Sequence, residues 1–131
     1  MDSRKLLIRL IFLIFFIFLL NYLSLGFYWY SSVWYLDMPM HFLGGFWLGL
    51  ALIWFFRLKE ISLGLILKII LGVLLIGILW EIFEIVINKT ITGNSFNIFD
   101  TTSDIFFDLA GGFFAVFYFL KRIMPIKENA V

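Results

Sequence analysis

The chain is built from long apolar runs separated by short polar breaks, and the length of those runs is set by a membrane rather than by a buried core. Leu6 to Gly26 is interrupted only by Arg9, Asn21 and Ser24, and about 20 such residues are what an α-helix needs to cross ~30 Å of hydrocarbon. A second run extends from about Met40 to Phe56 and a third from about Leu63 to Ile87, with the charged turn Arg57-Leu58-Lys59-Glu60 between them. After a polar stretch from Asn88 to Ser103, a fourth run leads from Asp104 or Ile105 to Leu120 and stops at Lys121-Arg122. The pattern predicts an all-α polytopic membrane protein, a four-transmembrane-helix bundle forming a single membrane domain over 1–131, with spans of about 6–26, 40–56, 63–87 and 104–120. Arg4 and Lys5 ahead of the first run also suit a signal peptide, but the apolar core is long and no small-x-small site follows it, so the run is expected to stay as an anchor.

Charge placement orients the spans. Cationic flanks are retained on the cytoplasmic side, and nine of the ten Lys and Arg residues fall on one side of this topology, leaving Lys89 on the other. Four spans with N-in and C-in satisfy that distribution, whereas three or five break it. The aromatic stretch Phe27-Tyr28-Trp29-Tyr30, continued by Trp34 and Tyr35, suits the outer headgroup belt, where rings keep an apolar body in lipid and a polar edge in water. Composition agrees: 63% of the residues are hydrophobic, 21% aromatic and 15% charged, too few polar residues to cover a soluble domain. With no cysteine, disulfides, thiolate metal sites, iron–sulfur clusters and cysteine nucleophiles are excluded.

The acids then form a pattern. Asp2, Glu60 and Glu128 fall on the cytoplasmic side, while Asp37, Glu81, Glu84, Asp100, Asp104 and Asp108 gather toward the outer side together with the single histidine, His41. An ionisable group within a span costs at least ~2.5 kcal/mol at the centre and normally faces a bundle interior or an aqueous cavity. Helical phase places Asp37, His41, Gly44, Gly45 and Leu48 on one face of the second span. It places Gly77, Glu81, Glu84 and Asn88 together on the third, and Asp100, Asp104, Asp108, Gly111 and Ala115 on the fourth. Each polar stripe runs into small residues, which let membrane helices approach closely, so the carboxylates are expected to point inward at one level.

Plainer roles compete for some of these residues. Asp37, followed by Met38-Pro39, suits an N-cap with proline in the first turn. Asp104, three residues after Thr101, suits a capping box; that makes it the weakest member of the set. His41 suits an interfacial histidine bonded to a carboxylate. Glu81, Glu84 and Asp108 lie beyond the reach of any cap. The whole cluster could also be interhelical hydrogen bonding with some carboxyls protonated.

The chemical alternative is a cation. Several carboxylates at close quarters do not all ionise without compensation, and a divalent metal supplies it. The candidate ligands are Asp37, His41, Glu81, Glu84, Asp104 and Asp108, a set of oxygens plus one imidazole that suits Mg, Mn, Ca or a hard Zn or iron site. A di-iron carboxylate bundle needs a Glu-x-x-His on each of two helices, and one histidine does not provide it. A metal-activated water beside an outer-leaflet acyl or phosphate ester gives hydrolysis or group transfer, with Glu81, Glu84 and His41 as candidate catalytic groups. Membrane lipid is then the expected partner and a lipid-linked molecule the natural substrate; nothing points to nucleic acid, and the oligomeric state stays open. No Gly-x-Ser-x-Gly, phosphate loop or dinucleotide fingerprint is present. Two other classes stay open: a non-catalytic structural or accessory membrane protein, and a proton- or cation-coupled transporter, the latter disfavoured by the lack of acids in the cytoplasmic half of the spans.

These motifs carry a resemblance. Asp37-Met-Pro-Met-His41-Phe-Leu-Gly-Gly45, Trp80-Glu81-Ile-Phe-Glu84 and Asp100-Thr-Thr-Ser-Asp104-Ile-Phe-Phe-Asp108-Leu-Ala-Gly111-Gly112, in this order, resemble the bacterial inner-membrane family typified by YjdF over about Asp37 to Leu120. More distantly they resemble the VanZ-like proteins, which carry a glutamine where Glu84 stands and a later arginine that this chain lacks. The resemblance implies a small multi-pass protein of the bacterial cytoplasmic membrane, with a glycopeptide-resistance association among VanZ-like members, and implies no particular reaction.

Overall fold

The computed structural model describes residues 3–33, 35–56, 62–93 and 96–123. Several residues used above, namely Asp2, Trp34, Arg57, Lys59, Glu60, Lys127 and Glu128, lie outside that set. Four helices are long and apolar enough to cross a membrane, spanning Ser3–Gly26, Asp37–Phe56, Leu63–Ile91 and Ile98–Lys121. In chain order the elements are α1 (Ser3–Gly26), a short α2 (Trp29–Ser32), α3 (Asp37–Phe56), α4 (Leu63–Ile87) and α5 (Ile98–Tyr118). The last turns of α4 and α5 widen into π-helical turns at Asn88–Thr92 and Phe119–Ile123. Among the described residues there is no strand.

Local chemistry sets the boundaries. The Ser62 side chain accepts from the Leu65 N–H at the start of α4, and the Asn97 side chain accepts from the Phe99 and Asp100 N–H groups at the start of α5, each satisfying backbone donors that a helix start leaves unpaired. The Asn97 cap corrects the sequence reading. Helix α5 begins at Ile98, well ahead of Asp104, so Thr101 lies inside the helix and the Thr101–Asp104 capping box does not form. Helix α3 begins at Asp37 itself, and Leu36 takes the cap position, with its carbonyl accepting from Met40 N–H. After α4, Gly93 closes the π-helical turn in the left-handed region at φ 70°, where glycine carries no side-chain penalty.

Helix α3 is the centre of the bundle, packed against α1, α4 and α5. Its tightest contact is with α5. A side chain at Gly45 would strike the backbone of Asp108, one at Gly111 would strike the Phe42 carbonyl, and one at Gly49 would approach the Ala115 methyl to 2.7 Å. In lipid no hydrophobic force drives helices together, so association depends on close van der Waals contact between small residues, and here the two backbones touch. Gly44, which the helical phase grouped with Gly45, faces open space: a methyl group added there would meet nothing within 4 Å. Along the same seam Phe42, Phe46, Phe114 and Tyr118 pack ring on ring at 5.4–5.6 Å between centroids.

The core is divided along its length. Leu6, Leu10, Leu50, Ile53, Ile69, Ala115, Val116 and Phe119 form one apolar cluster. That cluster joins the start of α1 to the last turn beyond α5, which places both ends of the described chain at the same end of the bundle. Helix α1 is fixed there by Trp47 Nε1–H donating to the Leu10 carbonyl at 2.9 Å and by Arg9 donating to the Tyr118 hydroxyl at 3.1 Å. The buried acids lie toward the other end, and the outward faces are lined by exposed side chains such as Phe15, Phe18, Leu71, Leu75, Phe113 and Phe117, as contact with lipid requires.

The glycine seam yields a paired prediction. Gly45→Ala forces α3 and α5 apart and should destabilise the protein by about 3 kcal/mol, at the upper end of overpacking penalties, whereas Gly44→Ala should leave the thermal midpoint in detergent unchanged. Equal midpoints for the two variants, measured by intrinsic fluorescence on heating, would contradict the backbone contact.

Candidate metal centre

The six acidic and imidazole candidates reach one place because each pair sits one helical turn apart. Asp37 and His41 share a face of α3, Glu81 and Glu84 a face of α4, and Asp104 and Asp108 a face of α5, since residues three or four apart on a helix are neighbours. Helix α5 brings its pair to α3 through the Gly45–Asp108 and Gly111–Phe42 contacts. Helix α4 closes the third side at Gly77, where an added methyl would stand 2.9 Å from Asp108 Oδ2.

His41 is the hub. Its Nδ1 lies 3.0 Å from Asp108 Oδ1, and on its other edge Nε2 lies 3.5 Å from Asp104 Oδ2 and 3.6 Å from Asp37 Oδ1. In the tautomer that suits this contact, Nδ1 carries the ring proton and donates it to Asp108 Oδ1. That fixes the ring orientation and leaves Nε2 directed at Asp37 and Asp104, the geometry by which an outer carboxylate orients a metal-binding imidazole. Asp104, with the plainest role in the sequence, is the most enclosed of the acids at 2% exposed, followed by Glu81 at 4% and Asp108 at 8%.

Donor atoms from Asp37, His41 and Asp104 lie within 4.8 Å of one another, and so do donor atoms from Glu81, Glu84 and Asp104. Two ligands of one ion stand no further apart than about twice a metal–oxygen bond of 2.0–2.6 Å, so each grouping has the dimensions of a coordination shell. Glu84 is steadied by Trp80, whose Nε1–H donates to Glu84 Oε1 at 2.9 Å. Two oxygens, Glu81 Oε1 and Asp104 Oδ2, are buried without a hydrogen-bond partner among the described residues. Asp100 and Asn88, which the helical phase placed on the same faces, are exposed at the rim, and Lys89 is exposed in the π-helical turn beyond α4.

Tyr30 belongs to the site and was missed in the sequence, where it reads as one more ring of the headgroup belt. The chain turns back after α1 through Tyr28, held in the left-handed region at φ 57°, and the resulting α2 directs the Tyr30 hydroxyl inward to donate to Asn21 Oδ1 at 2.8 Å. Burial raises the Tyr30 phenol above its ordinary value of 10.0, and the nearby Asp37 and Glu84 carboxylates add to the effect by opposing a phenolate. The available signal was Asn21, a polar residue in the last turns of an otherwise apolar span.

On the opposite, lipid-facing side of α3, at the same end, Tyr35, Met38, Pro39, Phe42, Leu43 and Phe107 line an open apolar hollow of about 510 Å³. Helix α3 therefore separates the polar site on one face from an apolar recess on the other.

A family model described as a predicted membrane protein, DUF2238, matches residues 4–124. The match takes in α1 as well as the three helices that carry the motifs, and so extends beyond the Asp37–Leu120 stretch of the YjdF-type resemblance. No curated protein and no solved structure matches the chain.

The Tyr30 environment is open to titration. The folded chain keeps a phenolic proton that the unfolded chain releases near 10.0, so this group's contribution to stability declines as pH rises through and beyond that value. In a phenolate absorbance titration Tyr30→Phe should remove a late-titrating tyrosine, and Asp37→Asn should shift that tyrosine to lower pH. An unchanged titration curve for both variants would place Tyr30 outside the acidic cluster.

Proposed function

We propose that this chain, a member of the DUF2238 family of predicted membrane proteins whose model covers the whole bundle, is a small envelope protein binding a divalent cation within the membrane at its acidic end. The single observation that carries this is the pair of buried, unpartnered oxygens, Glu81 Oε1 and Asp104 Oδ2. A purely structural network of interhelical hydrogen bonds satisfies its own buried atoms. Here Glu81 Oε1 and Asp104 Oδ2 accept no hydrogen bond from an N–H or hydroxyl of the described residues, with only the His41 imidazole at 3.5 Å from Asp104 Oδ2, and both acids stand among groups spaced as ligands. Oxygen donors with one imidazole favour Mg, Mn, Ca or a hard Zn site.

With both chain ends on the cytoplasmic side, as the basic flanks require, the site faces the outside of the cytoplasmic membrane close to headgroup depth. An ion held there by His41 and the carboxylates would supply Lewis-acid chemistry toward an ester of an envelope lipid or lipid-linked molecule, for hydrolysis or transfer. The chain's own groups have distinct tasks. His41 and the carboxylates hold the charge, Asp108 orients His41, and Glu84, at the edge of the cluster, is placed to accept a proton from water. Transport finds less support: the described buried residues at the other end are all apolar and offer an ion no polar route across.

Two measurements test this. Metal analysis of detergent-purified protein should find stoichiometric divalent ion in the wild type, with affinity lowered at least about tenfold in Glu81→Gln and His41→Ala; a wild-type protein without stoichiometric metal after equilibration with each candidate ion would count decisively against a cation site. The absence of cysteine makes orientation directly accessible: a single cysteine at Thr90 in intact cells should react with a membrane-impermeant thiol reagent, while one at Lys121 should react only after lysis.

A further inference from the structure

The ligand atoms form two groupings rather than one. Asp37, His41 and Asp104 make the first and Glu81, Glu84 and Asp104 the second, each within 4.8 Å internally, and they have one member in common. Asp104 is the most enclosed acid of the set at 2% exposed. It projects from α5, the helix that packs against both α3 and α4. A carboxylate has two oxygens and can give one to each of two ions.

Charge points the same way. Asp37, Glu81, Glu84, Asp104 and Asp108 face each other around a single imidazole, with Lys89 exposed beyond α4. One divalent ion leaves most of that negative charge uncompensated in a site of low polarity, and two bring it close to balance. The buried oxygens that accept no hydrogen bond fall on members of these groupings: Asp104, common to both, with its Oδ2 3.5 Å from His41 Nε2, and Glu81, a member of the second.

Resting on the same cation-binding reading, we propose that the site holds two divalent cations that share Asp104, one between Asp37 and His41 on α3 and the other between Glu81 and Glu84 on α4. Asp108 and Trp80 then play equivalent supporting parts. Asp108 orients the imidazole of the first ion's shell and Trp80 orients a carboxylate of the second. The shared aspartate couples the two positions, so ligand changes on α3 are felt at the ion on α4.

Manganese tests this without a substrate. Full-length, detergent-solubilised protein stripped of metal is titrated with Mn²⁺, bound metal per chain is measured by equilibrium dialysis, and the loaded sample is examined by electron paramagnetic resonance. The expected result is two ions per chain with an exchange-broadened spectrum unlike the sum of isolated Mn²⁺ ions. His41→Ala and Glu84→Gln should each reduce the count from two to one and restore the isolated-ion pattern, and Asp104→Asn should abolish the coupling; circular dichroism and gel filtration identify any variant that has lost its fold. Saturation of the wild type at one ion, or two ions giving only the isolated pattern, overturns the shared site while leaving a single-cation site standing. Binding of none overturns both.

Discussion

Everything at the acidic end depends on the backbone contact between α3 and α5. Gly45 meets the Asp108 backbone and Gly111 meets the Phe42 carbonyl, so the two helices approach as closely as main chains allow. Only at that separation can an imidazole on one helix reach Asp104 and Asp108 on the other at 3.0–3.5 Å. A methyl group at the seam would widen the gap by more than the slack in any of these contacts. The glycines are therefore as much a part of the site as the groups with charge, because in lipid such packing is also what holds the helices together.

Removing carboxylates from water is expensive, and the fold limits that cost by confining them to one end. Each acid within a span costs on the order of 2.5 kcal/mol at the translocon scale, and among the described residues none of the buried side chains at the other end is charged. The two halves of the core have different work. The apolar half, built around Leu50, Ile53 and Phe119 with Trp47 and Arg9 tying down α1, supplies cohesion. The polar half is held in place by it, with Asp108, Trp80 and the Tyr30–Asn21 pair setting the directions of the groups they touch.

The spans and the inward direction of the acids were legible in the sequence because both follow from one-dimensional rules, run length against bilayer thickness and angular position on a helix. The family match over residues 4–124 takes in all four apolar runs. Less legible was whatever depends on a partner helix. Gly44 and Gly45 are adjacent and chemically identical, yet only Gly45 lies on the seam; the phase of a stripe is known to about one residue, and the seam is narrower than that. Asp104 looked like a cap because Thr101 precedes it, but Asn97 starts the helix earlier and carries Asp104 into the core. Tyr30 looked like a belt residue because its inward turn depends on the backbone at Tyr28, a conformation that no pattern of hydrophobicity records.

The division of the core also has an electrical consequence. In an energised membrane the voltage falls mainly across the layer that excludes water and charge, and a unit charge moved through the whole drop changes energy by about 2.3 kcal/mol per 100 mV. Here the excluding layer is the apolar cluster from Leu6 to Phe119, and the acids lie to one side of it. An ion arriving from their side crosses little of the field before it is bound. Occupancy of the proposed cation site would therefore follow the ionic composition of the medium it opens to and be nearly indifferent to the membrane potential and to changes in the energetic state of the cell.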